Sequence, residues 1–278
     1  MNKAYKKFAK PYEIFMYIFI GIPLVLMVIV AFSTIKNYTN LMNFDFTFSL
    51  SHIKNVFSEV QYIKAFGKSM KLAAIATAGC LLLGYGVAYF ISTSHVKHKF
   101  LLLIAFLLPM WTNQLCRVGV INNLLKENGF MKNVFGISLG ISGSEIAVIV
   151  VMILIYLPFM IFPIYTVLEK LDPALKEASM DLGANPVKTF FKVTLPLSMK
   201  GVSSGVIMTF LPCAMGYAIP QIVSNGNIYL IGNKIEALFN GTAQQYNLGS
   251  FISLIIMVMI IGILMIVMKI DPDGETLL

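Results

Sequence analysis

The chain has 278 residues, 58% of them hydrophobic and 12% charged, with a net charge of +8 and a mean hydropathy of +0.80. Soluble domains carry about 25% charged residues, so a water-soluble enzyme is excluded, and the surplus positive charge belongs to segments at a membrane surface. The basic residues are spread through the connecting segments and form no aromatic-rich face, which excludes a nucleic-acid binder.

A membrane helix needs about 20 mostly apolar residues. Six stretches meet this, at about 14–34, 70–92, 100–121, 145–168, 200–222 and 248–268, and the chain reads as an all-α integral membrane protein with six transmembrane helices. Lys6, Lys7 and Lys10 ahead of the first stretch, and Ala31-Phe32-Ser33 at its end, have the look of a secretory leader with its cleavage site. The apolar run is longer than the roughly 7–15 residues of a leader, so it reads as a span. The third stretch is the weakest: Trp111, Asn113, Gln114 and Arg117 fall near its end, and it is expected to leave the hydrocarbon soon after Pro109. Pro23, Pro109, Pro158, Pro163 and Pro212 predict kinks, which membrane helices tolerate where neighbours satisfy the freed carbonyls.

Lysine is denser in the shorter segments that lie inside when the N-terminus is inside: Lys3 to Lys10, Lys97 and Lys99, and Lys170 to Lys200. This places both termini in the cytoplasm. The expected organisation is a tail, first span and outer loop over 1–69, a transmembrane domain over 70–268, and a short cytoplasmic tail over 269–278 that ends Asp271-Pro-Asp-Gly-Glu-Thr-Leu-Leu278.

The polar loop 172–197 between the fourth and fifth spans is the most informative segment. Asp172 followed by Pro173 is a cap and first residue for a short helix. Gly183 suits the left-handed turn that ends it, and Asn185-Pro186 repeats the start signal. Glu177-Ala178-Ser179, Gly183 and the pair Leu195-Pro196 resemble the Glu-Ala-Ala loop of permease subunits of binding-protein-dependent ABC importers, with Ser179 where the second alanine is usual. The resemblance implies the MetI-like permease fold and a multi-pass protein of the bacterial inner (plasma) membrane. It implies an ATPase-coupling face built from Glu177, Ala178, Ser179, Asp181, Gly183, Leu195 and Pro196. It also implies a second permease subunit, a cytoplasmic ATPase dimer that binds ATP and Mg, and an extracytoplasmic substrate-binding protein. The chain has no Gly-x-x-x-x-Gly-Lys-Ser/Thr phosphate loop, so it is read as a permease that is not itself an enzyme and binds no cofactor.

Three further segments are similar to permeases of the spermidine/putrescine importer type: Leu108-Pro-Met-Trp-Thr-Asn113 with Arg117, Leu157-Pro-Phe-Met160 running to Glu169-Lys-Leu-Asp172, and Tyr229-Leu-Ile-Gly-Asn233. The likeness covers about residues 10–268. A flexible polycation needs acceptor oxygens and aromatic faces for cation–π contact, and the candidate path residues are Trp111, Asn113, Tyr156, Tyr217, Gln221, Asn233 and Glu236. Where some polyamine permeases carry an acid near the outer end of the fifth span, this chain has Gln221, which leaves the acids to a partner subunit or the binding protein. Glu145 and Glu236 are surface carboxylates able to attract a cation.

Cys80, Cys116 and Cys213 have no paired spacing and read as packing residues. His52, His95 and His98 form no ligand set. An importer permease for another small solute is the nearest alternative. An ion-coupled carrier would usually need intramembrane carboxylates, and the spans are nearly free of them. A membrane-embedded enzyme would show clustered His, Asp or Glu at the membrane face.

Overall fold

The computed structural model describes residues 3–34, 47–48, 59–94, 99–241 and 243–270. His52, His95, Lys97, His98 and the tail 271–278 lie outside these. The chain divides into two units, Met1–Lys64 with Lys234–Ile261, and Ala65–Asn233 with Gly262–Leu278.

In the first unit, α1 (Lys3–Met16), a π-helical turn (Tyr17–Gly21) and α2 (Ile22–Ala31) run on as one helix, and Lys10–Ala31 is long and apolar enough to cross a membrane. The π-turn sits just ahead of Pro23, which has no N–H for the carbonyl of Phe19, and a wider turn absorbs that gap. The span ends three residues sooner than the sequence suggests. Ser33–Thr34 (β1) is extended and pairs antiparallel with Thr47–Phe48 (β2). The reason is a polar clamp from α14 (Ala243–Ile270), where the buried Asn247 side chain donates to the carbonyls of Val30 and Ser33, both at 2.6 Å. Phe32 stands edge-on to Phe251 at 5.7 Å.

The second unit contains most of α3 (Val60–Thr93), which starts in the first. At 34 residues it is about 50 Å long, well beyond a hydrocarbon core of about 30 Å. The apolar stretch 70–92 marks only its membrane part; the added residues include Gln61, Lys64, Lys68 and Ser69. The third stretch is broken as expected. It runs as α4 (Lys99–Leu107), one 3₁₀ turn (Leu108–Trp111) and α5 (Gln114–Leu125), with a 99° bend. A short α6 (Phe130–Phe135) follows. The central α7 (Glu145–Glu169) is capped by Ser144, whose Oγ accepts from the Ala147 N–H at 3.2 Å.

Next come α8 (Pro173–Asp181), α9 (Pro186–Thr189), a second π-turn (Phe190–Thr194) two residues ahead of Pro196, and α10 (Leu195–Leu197). They lead into α11 (Met199–Met215), at 62° to the segment before it, and then α12 (Ala218–Val223). The stretch read as about 200–222, with a kink expected at Pro212, is therefore interrupted farther on, at Gly216. Gly216 is extended (φ −64°, ψ 131°), so the helix stops there and restarts two residues later. Hydropathy does not register this break, because the run stays apolar across it. Among the described residues, four helices are long and apolar enough to cross a membrane, or up to six spans if each bent pair is one span.

The core of this unit is built round α7, with Val148, Met152, Ile155, Met160 and Ile164 buried. α11 reaches it through Gly201 and Gly205, spaced as the small pairs that let membrane helices approach closely. A Cβ on Gly201 would lie 2.7 Å from the Pro163 carbonyl oxygen, and one on Gly205 2.7 Å from Met160 Sδ.

Candidate functional site

The 172–197 loop is a rigid elbow whose every turn has a local chemical cause. Asp172 Oδ1 accepts from the Ala174 N–H at 3.0 Å. At the far end of α8, the Gly183 N–H donates to Met180 O at 2.9 Å and the Ala184 N–H to Ser179 O at 3.1 Å. These are the two bonds of a Schellman stop, with Gly183 in the left-handed region at φ +80°. Asn185 Oδ1 then accepts from the Lys188 N–H at 2.8 Å to start α9.

Ser179, at the place where the motif usually has alanine, is not idle. Its Oγ is 3.0 Å from Thr189 Oγ1 and ties α8 to α9 across the turn. Ser179→Ala is expected to lower stability by about 0.5–1 kcal/mol and to leave transport unchanged, as thermal unfolding in detergent and uptake would show.

Glu177 and Asp181 are exposed on this elbow, and so are apolar side chains that water would not favour: Leu182 at 89%, Val187 at 64% and Phe191 at 61%. Exposed apolar groups among charges mark a face that meets protein or membrane.

The back of the elbow is fixed to α3. Phe190 stands edge-on to Tyr85 and Tyr89 at 5.7 and 5.1 Å. Tyr85 Oη is 2.8 Å from Ser198 Oγ in a buried hydrogen bond, and the Lys176 ammonium lies 5.7 Å from the Tyr89 ring centre. Lys99 Nζ donates to Ser92 O at 2.7 Å and faces the Glu169 carboxylate at 3.8 Å, joining the ends of α3, α4 and α7. A displacement of the elbow therefore moves spans and not only a loop. Sequence reading missed this connection, because Tyr85 and Ser198 are far apart in the chain and look like ordinary residues of apolar helices.

The candidate path residues divide into three kinds. Trp111, 86% exposed, and exposed Gln221 present free surface. Tyr156 is buried and accepts from Gln114 Nε2 at 3.2 Å, and Asn113 caps α5 by accepting from the Leu115 N–H at 2.8 Å. Asn233 is buried and committed to backbone: its Oδ1 accepts from the Leu230 N–H at 3.2 Å and its Nδ2 donates to Tyr217 O at 2.9 Å. Tyr217 is thereby placed beside Asn233 while its ring stays half exposed.

Glu236, on α13 (Ile231–Phe239), accepts from Asn240 Nδ2. Glu145 is in an ion pair with Lys68 at 2.7 Å. A polar knot that the sequence did not announce lies at Asn122, whose Nδ2 donates to Ile222 O at 3.2 Å and whose Oδ1 accepts from Ser142 Oγ at 2.8 Å. Behind the break in the third span is a largely apolar pocket of about 490 Å³ between α4, α5 and α7.

The comparisons with known proteins agree with this geometry. The chain is 34% identical over 246 residues to the spermidine/putrescine transport system permease protein PotB of Haemophilus influenzae, covering 85% of this chain and 83% of that protein. It is 33% identical over 213 residues to PotB of Escherichia coli, covering 74% and 71%. The inner membrane ABC transporter permease protein YdcU of Escherichia coli is 31% identical over 217 residues, covering 69% and 68%. Among solved structures, the fold matches a bacterial ABC transporter involved in import of the acidic polysaccharide alginate, with a TM-score of 0.76 over 98% of this chain and 96% of that one at 15% identity. The alginate transporter in complex with an alginate pentasaccharide-bound periplasmic protein gives 0.73 over 99% and 94%, at 16% identity. Residues 2–269 match one family throughout, and with a multi-span helical fold and an exposed elbow between spans, the chain belongs to the binding-protein-dependent transport system inner membrane components.

Proposed function

We propose that this chain is the PotB-like permease of an ATP-driven importer that carries polyamines of the spermidine and putrescine class. The observation that carries the solute class is the identity of about a third, over most of the chain, to polyamine permeases. The coupling role rests on the exposed elbow and its attachment to α3. The chain works with a PotC-like second permease, a PotA-like ATPase dimer that binds ATP and Mg, and a PotD-like binding protein on the far side. Both termini are cytoplasmic, and the elbow lies on the ATPase side.

In this reading the binding protein delivers a flexible polycation to a path between the two permeases. Trp111 and Tyr217 offer aromatic faces to ammonium groups, Gln221 offers an amide oxygen, and Asn113 offers the lone pair that its cap leaves free. Asn233 and Tyr156 hold that wall in shape, and Glu236 is a further candidate carboxylate. ATP-driven closure of the ATPase dimer pushes the elbow, with Glu177 as its polar anchor, and the weld to α3 carries the push into the spans, giving alternating access.

The test is uptake of radiolabelled spermidine and putrescine in cells lacking the gene, with wild-type and Glu177→Ala copies restored. Wild type is expected to restore uptake and Glu177→Ala to reduce it at least about tenfold at equal membrane levels, as when one partner of a desolvated charged contact is removed. Uptake unaffected by deletion would refute the polyamine assignment. Full uptake by Glu177→Ala would refute its role as anchor.

A further inference from the structure

Arg117 is the one arginine in the chain, and it lines the pocket behind the broken third span together with Pro109, Thr112, Cys116, Leu154 and Pro158. Its Nε is buried without a hydrogen-bond partner among the described residues, and it takes part in neither of the ion pairs found there. Guanidinium stays charged under all ordinary conditions. A charge against apolar walls is costly unless it is paired. The Nε on this wall can still take an acceptor, which the described residues do not supply.

The backbone beside it limits what can cover it. α4 rises only about 14 Å from Lys99, so the break at Leu108–Asn113 falls inside a hydrocarbon layer of about 30 Å. There Thr112 is extended, with ψ 157°, and both Thr112 and Asn113 are exposed. Irregular backbone at membrane depth cannot face lipid; it is tolerated only against protein or a water-filled cavity. A polycationic solute is repelled by the guanidinium and does not supply the acceptor. Two prolines in the pocket wall, Pro109 and Pro158, also leave the carbonyls of Ala105 and Leu154 without their usual helical donor, so the wall holds backbone acceptors as well as the cation.

We propose that this wall is where the second permease subunit seats, and that it presents an Asp or Glu carboxylate to Arg117. The inference rests on the proposed function for the existence of that subunit, and adds which face of this chain meets it and through what charge. Arginine suits the role because its planar fork binds a carboxylate through two parallel bonds, which lysine cannot do.

The test uses the full importer with an affinity tag on the second permease, reading how much of this chain comes with it. Arg117→Met is expected to lower recovery at least about tenfold, as loss of one member of a buried ion pair does. Arg117→Glu is expected to lower it further, and Arg117→Lys to retain more than either. Selection for restored assembly of Arg117→Glu is expected to return an acid-to-Lys or acid-to-Arg change in the second permease. Cys116 is exposed beside Arg117, whereas Cys80 and Cys213 are buried, so a maleimide-benzophenone placed on it is expected to cross-link to the second permease.

Normal recovery of both the Met and Glu variants overturns the inference, as do cross-links to lipid alone. So does an anionic phospholipid retained by wild type and lost from Arg117→Met with assembly intact. If the tagged second permease recovers none of the unaltered chain, the proposed function falls as well; if it recovers the unaltered chain and the variants equally, this inference alone falls.

Discussion

Gly183→Val is expected to abolish solute uptake while leaving the chain in the membrane at close to its normal level. The glycine holds φ +80°, where an ordinary L-residue is disfavoured by about 1–2 kcal/mol and a β-branched one by more. No atom lies within 4 Å of the position a Cβ would take, so the penalty is one of backbone conformation and not of collision. It falls on a loop whose neighbours are exposed and leaves the helix core untouched. The cheapest relief is to open the Schellman stop, which re-aims α9 relative to α8 and breaks up the docking face. Uptake measured against membrane level by immunoblot separates the two effects. Gly183→Asn, which tolerates the left-handed region better, is expected to keep part of the activity. Normal transport by the Val variant would show that the turn does not couple anything.

Gly201→Val should do the reverse and lower the stability and yield of the folded protein. Its Cβ would come within 2.7 Å of the Pro163 carbonyl oxygen and 3.0 Å of the Ile164 Cα. These are backbone atoms of the central helix and cannot rotate away as a side-chain tip can. Overpacking of this kind costs about 1–3 kcal/mol and occasionally more. The unfolding midpoint in detergent is then expected to fall by roughly 5–10 °C, with a matching loss of yield, and Gly201→Ala to fall by less. An unchanged midpoint for Val would mean that α7 and α11 do not pack as closely as described.

Much of the elbow could be read from sequence because its causes are local. Asp172, Gly183 and Asn185 each act on a backbone group no more than three residues away, and capping chemistry of that reach is written in residue order. The break in the third span was legible for a similar reason: a proline and several polar side chains stand together there. The break at Gly216 was missed because the run stays apolar, although Pro220, which has no N–H for the Gly216 carbonyl, marks it four residues on. The length of α3 was not legible either, because hydropathy reports the part of a helix that lipid covers and not where hydrogen bonding stops. Asn233 looked like a candidate for the path, and nothing in its immediate sequence reveals that both ends of its amide are occupied by backbone. The attachment of the elbow depends on Tyr85 meeting Ser198 and Phe190, and pairings so distant in the chain leave no periodic signature.

The π-turn at Phe190–Thr194 bears on how this part of the chain can change over time. Each residue of an α-helix advances the azimuth by about 100°, and the π-turn fixes one phase offset between the elbow and α11. Gaining or losing a single residue between the turn and α11 would swing the outward-facing Leu182, Val187 and Glu177 by more than a quarter of a revolution. No side-chain exchange could compensate, since Phe190 must still find Tyr85 and Tyr89 on the opposite side. Between Leu195 and Met199, then, the chain is held to a constant count of residues, a constraint on length that adds to the one the Tyr85 hydrogen bond places on Ser198.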